Sequence, residues 1–244
     1  MRGAMLPPDL NEKSALFLDF DGVLVEIAAR PDAVEVPAGL PAMLARLHGA
    51  LNGAVALISG RHVADLQKFL PDLQAVMAGS HGAEIALGGE IQPAFRIDLN
   101  VAAIHAAAHD LAKDQHALLI EEKPHGVVMH YRADPGLEDF VRSAMSDLQA
   151  RFPGTKLQPA KMAVELLPEG SGKDGALSRL MADPPFAGRV PVYAGDDLTD
   201  EPAMTEAIAR GGVAIKIGEG DSVAQYRMSG PKQLALWLDS QFRG

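Results

Sequence analysis

Two carboxylates, Asp19 and Asp21, close the apolar run ALFLDFDG with only Phe20 between them. One unpaired charge is costly to bury, and two like charges side by side cost more. A second acidic group, GDDLTDE (Gly195–Glu201), follows the apolar run VPVYA, and a third polar break, Ser59-Gly60-Arg61, follows AVALI. If these runs are neighbouring parallel strands, their carboxyl ends bring Asp19, Asp21, Asp196 and Asp197 together, with Asp200 nearby. Carboxylates at that density call for a cation. Hard oxygen donors without a His or Cys cluster favour Mg²⁺ over zinc or copper. A single Asp at a strand end is as often a cap or a turn residue. D-x-D after one strand together with G-D-D-x-x-D after another is much harder to explain that way.

Lys173, in EGSGKDGAL, opens a predicted helix. A phosphate-binding P-loop needs a Gly where Leu167 stands and a Ser or Thr where Asp174 stands, so that motif is excluded. Beside a carboxylate cluster, a lysine can instead hold phosphoryl oxygens and balance the acids. His105 and His109 share a helix face at i,i+4 spacing but lack the Glu of the H-E-x-x-H zinc motif. They are expected to be partly exposed helix residues.

The elements that must position these residues alternate. ALFLDFDG and AVALISG read as buried strands. Pro37–Leu51 shows helical spacing through Leu40, Met43, Leu44 and Leu47, with Asn52-Gly53 as a stop. AVMAGSHGAEIAL reads as strand, turn and strand. Strands apolar on both faces alternating with helices predict an α/β fold with a parallel sheet. The middle changes character. Helices over Val101–Lys113 and Leu137–Phe152 flank a predicted hairpin, HALLIEE and GVVMHYR, and MAVELL reads as another strand. This pattern predicts an α+β module at 88–163, inserted into a core made of 1–87 and 164–244.

At 244 residues the chain can hold two modest domains. A net charge of −10 argues against a nucleic-acid partner, and the absence of cysteine excludes disulfides, thiolate zinc and Cys nucleophiles. No run approaches the ~20 apolar residues of a membrane span. The opening MRGAMLPPDLNEK lacks the apolar core of a signal peptide. The expectation is a soluble, cytoplasmic protein with neither nucleic-acid nor membrane partners.

DFDGVL, SGR, the downstream Lys173 and GDDLTDE resemble the four motifs of the haloacid dehalogenase (HAD) superfamily, whose phosphatases show D-x-D-x-[TV], met here by Val23. LISGR, GSHGAEI, HYR, VELLP and YAGDDLTDE are similar to its trehalose-6-phosphate phosphatase family, over roughly Ala15 to Gly218. The resemblance implies a HAD-type Rossmann-like core with an inserted cap. It implies Asp19 as nucleophile, Asp21 as proton shuttle, and Ser59 and Lys173 on the phosphoryl oxygens. It also implies Mg²⁺ held by the Asp19 carboxylate, the Asp21 main-chain carbonyl and Asp196, with Asp197 and Asp200 as outer or alternative ligands. Functional pairing with a trehalose-6-phosphate synthase follows from the same resemblance.

A disaccharide presents many hydroxyls, which suits charged hydrogen-bonding side chains. Lys123, His130 and Glu165 are the expected cap contacts. Phe20, Gly60, Arg61 and His81 join Asp19, Asp21 and Ser59 as substrate-binding positions in the core. Two other activities fit the motifs: a HAD phosphatase for another sugar phosphate, such as sucrose phosphate or a monosaccharide phosphate, and more remotely a phospho-accepting receiver protein. The D-x-D spacing and the inserted module argue against the receiver.

Overall fold

The computed structural model describes residues 6–28, 30–87, 90–93, 99–123, 125–160 and 162–242. The chain divides into two compact units, Met1–Phe95 with Gly172–Gly244, and Arg96–Ser171. The first unit begins with β1 (Ser14–Leu18), α1 (Leu40–Ala50), β2 (Val55–Ile58), α2 (Val63–Phe69), β3 (Val76–Gly79), β4 (Glu84–Leu87) and β5 (Glu90–Pro93). The second contributes α3 (Val101–Ala112), β6 (Leu119–Lys123), β7 (Gly126–His130), α4 (Glu138–Arg151), β8 (Thr155–Ala160) and β9 (Ala163–Pro168). The first unit then resumes with α5 (Lys173–Leu180), β10 (Val190–Gly195), α6 (Glu201–Ala209), β11 (Val213–Ile217), β12 (Tyr226–Met228) and α7 (Pro231–Ser240).

The core sheet runs in the order β12-β11-β10-β1-β2-β3-β4-β5. Its strands pair in parallel from β12 to β3, and β4 and β5 extend it antiparallel. β1, β2 and β3 are buried at every position, so they read as unbroken apolar runs and not as alternating ones. Fully buried Phe17 stacks on Phe186 with ring centroids 5.2 Å apart. Burying one such side chain contributes about 1.5–3 kcal/mol. α1 lays Leu40, Met43, Leu44 and Leu47 on the core and ends where Asn52 and Gly53, at φ 51° and 88°, turn the chain into β2. From β1 the chain builds outward through β2 and β3 on one side, and later through β10, β11 and β12 on the other. That reversal opens a crevice beyond the ends of β1 and its neighbours.

The second unit has its own apolar core. An antiparallel sheet, β6-β7-β9-β8, carries α3 and α4 on one face. Val127, Met129, Val164 and Leu166 point into that core with Ile104, Val141, Met145 and Leu148. Alternation leaves Glu121, Lys123, Val128, His130 and Glu165 on the other face. The unit begins and ends later than the expected 88–163. β5 returns to the core sheet by pairing with β4, and β9 pairs with β7 and β8 in the inserted sheet. β8 was not among the expected strands; it lies at the edge of the sheet, where its Pro159 is tolerated. Among the described residues no helix is long and apolar enough to cross a membrane.

Candidate active site

Asp19, Ser59 and Asp196 each stand directly after a strand. Leu18 is level with Ala194 of β10 and with Leu57 of β2, so the three strand ends form one edge. Backbone bonds fix them there: the Asp19 N–H donates to the Ala194 carbonyl at 3.0 Å, and the Ser59 N–H to the Ala78 carbonyl at 2.9 Å. With Lys173 they line a cleft of about 840 Å³ in the core unit, together with Asp21, Gly60, Arg61, His81 and Asp197.

Lys173 is the first residue of α5, directly after Gly172 at φ 92°. Its ammonium lies 2.8 Å from Asp19 Oδ2 and 2.7 Å from Asp200 Oδ1, with the lysine 3%, Asp19 5% and Asp200 0% exposed. Burial works against the lysine's charge, but the two carboxylates outweigh it and hold its pKa above the ordinary value. One ammonium cannot neutralise two buried carboxylates. Burial first, then the charge of Asp200, pushes the Asp19 carboxyl up to about 7 against the pull of Lys173. Burial and Asp200 likewise raise Asp196 to about 6. Oxygens of Asp19, Asp196 and Asp200 all lie within 4.8 Å of one another. Carboxylates crowded this closely are what a divalent cation would relieve, and their oxygens are the donors a hard ion prefers.

Asp200 organises this loop. Its Oδ1 also accepts from the Tyr193 hydroxyl at 2.7 Å, while Oδ2 accepts the N–H groups of Asp196 and Asp197 at 3.0 Å each. A side chain at Gly195 would put its Cβ 2.3 Å from Asp200 Cγ. Gly22, at φ 73°, lets the chain cross directly over Asp196, where a Cβ would fall 2.1 Å from Oδ2. Asp197 departs from the expected four-carboxylate crowd. Its side chain is exposed and accepts from the Leu198 N–H at 2.6 Å, forming a capping box with Asp200. The buried third carboxylate is Asp200.

Asp21 is engaged differently. Arg61 grips both its oxygens, Nε to Oδ2 at 2.6 Å and a terminal nitrogen to Oδ1 at 2.7 Å. The same guanidinium lies 5.7 Å from the Phe20 ring centroid and 5.2 Å from that of Phe69. Phe20 itself is fully buried, so its side chain serves the core and only its backbone faces Asp19, donating to Oδ1 at 2.7 Å. The Ser59 hydroxyl accepts from the Arg61 N–H at 3.2 Å, and the Ser59 carbonyl accepts from the His81 N–H at 2.9 Å. His81 adopts φ 54°, and its ring covers Gly60 closely enough that a Cβ there would meet it at 2.8 Å.

In the inserted unit His130 Nε2 lies 2.9 Å from Glu121 Oε2, and Lys123 pairs with the other Glu121 oxygen. Glu165, half-buried, lies across β7 on the same face, and burial raises its pKa. Glu121 was not expected; alternation along Leu119–Lys123 places it beside Lys123 and is the signal that finds it. His105 and His109 both face Glu122, at 3.5 and 3.1 Å.

A doubly wound parallel sheet with an inserted α+β unit and a buried Asp–Lys–Asp edge is the arrangement that the resemblance to the HAD superfamily implies. The crystal form 3 structure of Aspergillus fumigatus trehalose-6-phosphate phosphatase shares that fold, with a TM-score of 0.78 over 95% of this chain and 97% of that one, at 21% identity. A model of the family described as Trehalose-phosphatase matches residues 17–232, and the chain belongs to that family. It is 35% identical over 233 residues to the trehalose-6-phosphate phosphatase of Escherichia coli (strain K12), covering 95% of this chain and 88% of that protein. It is also 35% identical over 231 residues to a probable trehalose-phosphate phosphatase of Sinorhizobium fredii (strain NBRC 101917 / NGR234), covering 91% and 84%.

Proposed function

We propose that the chain is a Mg²⁺-dependent phosphatase that hydrolyses trehalose 6-phosphate to trehalose and phosphate through an aspartyl-phosphate at Asp19. The observation that carries this is the buried Asp19–Lys173–Asp200 arrangement with Asp196 beside it, in a chain of this family. An Asp19 oxygen attacks phosphorus, and the bond from phosphorus to the sugar oxygen breaks. Asp21 gives the departing oxygen its proton, then takes one from the water that attacks the phospho-aspartate, regenerating Asp19 and releasing phosphate. Arg61 grips both oxygens of Asp21; a phosphoryl group in the cleft competes for the guanidinium and frees the carboxylate. Ser59 and Lys173 hold the phosphoryl oxygens. Mg²⁺, held by the Asp19 carboxylate, the Asp21 main-chain carbonyl and Asp196, would shield the anionic nucleophile from the anionic substrate.

On the inserted unit, Lys123, His130 and Glu165, joined by Glu121, are the candidate sugar-hydroxyl contacts; on the core unit the candidates are Gly60, Arg61 and His81. A cytoplasmic setting beside a trehalose-6-phosphate synthase supplies the substrate. Phosphate release across a panel of sugar phosphates, with and without Mg²⁺, tests the reading. A wide preference for trehalose 6-phosphate is expected. Equal or better turnover of sucrose phosphate or a monosaccharide phosphate overturns the substrate, and a lasting phospho-aspartate without turnover would make the chain a receiver.

A further inference from the structure

Lys216 is a second buried lysine at this edge, and the chemistry above gives it no part. It lies in β11 beside Gly195 of β10 and is 5% exposed. Its ammonium ends on a backbone carbonyl, that of Asp196, at 2.5 Å. Burying an ammonium for a neutral acceptor is costly, so the contact calls for a reason. The peptide it touches is unusual. The Asp196–Asp197 amide is held at its oxygen by Lys216 and at its N–H by Asp200 Oδ2, 3.0 Å away. The preceding amide, through the Asp196 N–H, donates to the same Asp200 oxygen at 3.0 Å. Asp196 is thus pinned on both sides of its Cα, which aims its carboxylate at the oxygens of Asp19 and Asp200.

We infer that Lys216 is a positioning residue for the metal site: by clamping the Asp196 carbonyl it fixes the Asp196 carboxylate for a divalent ion. The inference rests on the proposed role of Asp196 as a metal ligand. Charge alone predicts the opposite effect, because removing a cation beside an acidic cluster strengthens cation binding. The two roles therefore separate by sign.

The test is Mn²⁺ and Mg²⁺ binding to the metal-free full chain, measured by titration calorimetry without substrate, for wild type, Lys216→Met and Lys216→Arg. Outer partners of metal ligands typically alter affinity by about 10–100-fold. Lys216→Met should weaken binding by roughly that factor, and Lys216→Arg, which keeps the donors, by much less. At saturating metal, kcat of the Met variant should stay within about threefold of wild type while the half-saturating metal concentration rises in step with the binding constant. A Met variant that folds and binds the ion as tightly as wild type, or more tightly, overturns the proposal. Should it not fold, Lys216→Gln carries the same comparison, and failure of both neutral variants to fold makes Lys216 purely structural and overturns it too. Absence of divalent-ion binding by wild type would instead overturn the metal site itself.

Discussion

Two clusters of mixed charge stand out in this protein, and they are built by opposite rules. At the core edge the Lys173 side chain is 2% exposed, between Asp19 at 7% and Asp200 at 0%. On the inserted sheet Glu121, Lys123 and His130 are 44%, 41% and 25% exposed. Burial governs the first cluster. It raises the Asp19 and Asp196 carboxyls to about 7 and about 6, while Lys173 pairs with both Asp19 and Asp200. Water governs the second. There the bonds from Lys123 and His130 pull Glu121 below its usual range, and solvent screens the pairs. Rigid, dehydrated charge suits in-line attack, where a small misplacement is costly. Adaptable, hydrated charge suits a sugar covered in hydroxyls.

The contrast is broken most directly at the nucleophile. Asp19→Asn should lower turnover by at least roughly 10⁴-fold, measured as phosphate release, while circular dichroism shows an unchanged fold. Retained activity would remove Asp19 from the mechanism. Next comes Lys173→Met, which leaves two buried carboxylates facing each other. It should cost about 3–5 kcal/mol in denaturant unfolding of the metal-free protein, besides most of the activity. An unfolding midpoint equal to wild type would mean that the pair is not dehydrated as its burial indicates.

Much of the core edge was legible because each functional group interrupts an apolar run at its carboxyl end: Asp19 after ALFL, Ser59 after AVALI, Asp196 after VPVYAG. A charge placed where a buried strand must end is a strong signal. Asp200 was harder, since four residues of loop separate it from the strand. Its partners, Tyr193 and the N–H groups of Asp196 and Asp197, exist only once the loop closes on itself. The D-x-x-D capping pattern of Asp197 and Asp200 was the local hint. Lys216 was not singled out from the sequence: it is a lysine inside the apolar strand VAIKI, and its target is a backbone atom that no spacing reveals. The compact inserted unit starts later than the expected 88, since β5 returns to the core sheet through pairs such as Ile85↔Gln92. Antiparallel return of a short edge strand leaves little periodic trace.

A smaller effect separates the clusters by pH. Asp19 and Asp196 titrate near 3.8 when unfolded and near about 7 and about 6 when folded. Between those values the folded chain holds protons that the unfolded chain has released. Their contribution to the stability of the metal-free protein therefore falls as pH rises from about 4 to about 7, and is level outside that window. Comparing the melting temperatures of wild type and Asp19→Asn across this range isolates the Asp19 share. The difference should grow in favour of the Asn variant toward pH 7 and shrink when Mg²⁺ is added. A difference independent of pH would mean that Asp19 is not raised by burial.

The smallest effect on the fold is expected at the inserted sheet. Lys123→Ala removes one exposed pair, worth at most about 1 kcal/mol, so the melting temperature should hardly move. The loss should appear in recognition instead. KM for trehalose 6-phosphate should rise by about tenfold, because a charged hydrogen bond to a substrate hydroxyl contributes roughly 1.5 kcal/mol. Hydrolysis of a small aryl phosphate, which has no sugar hydroxyls to bind, should stay unchanged. A variant that slows both substrates equally would place Lys123 in the phosphoryl chemistry, and one that melts early would show that the inserted sheet, like the core edge, depends on its charges to fold.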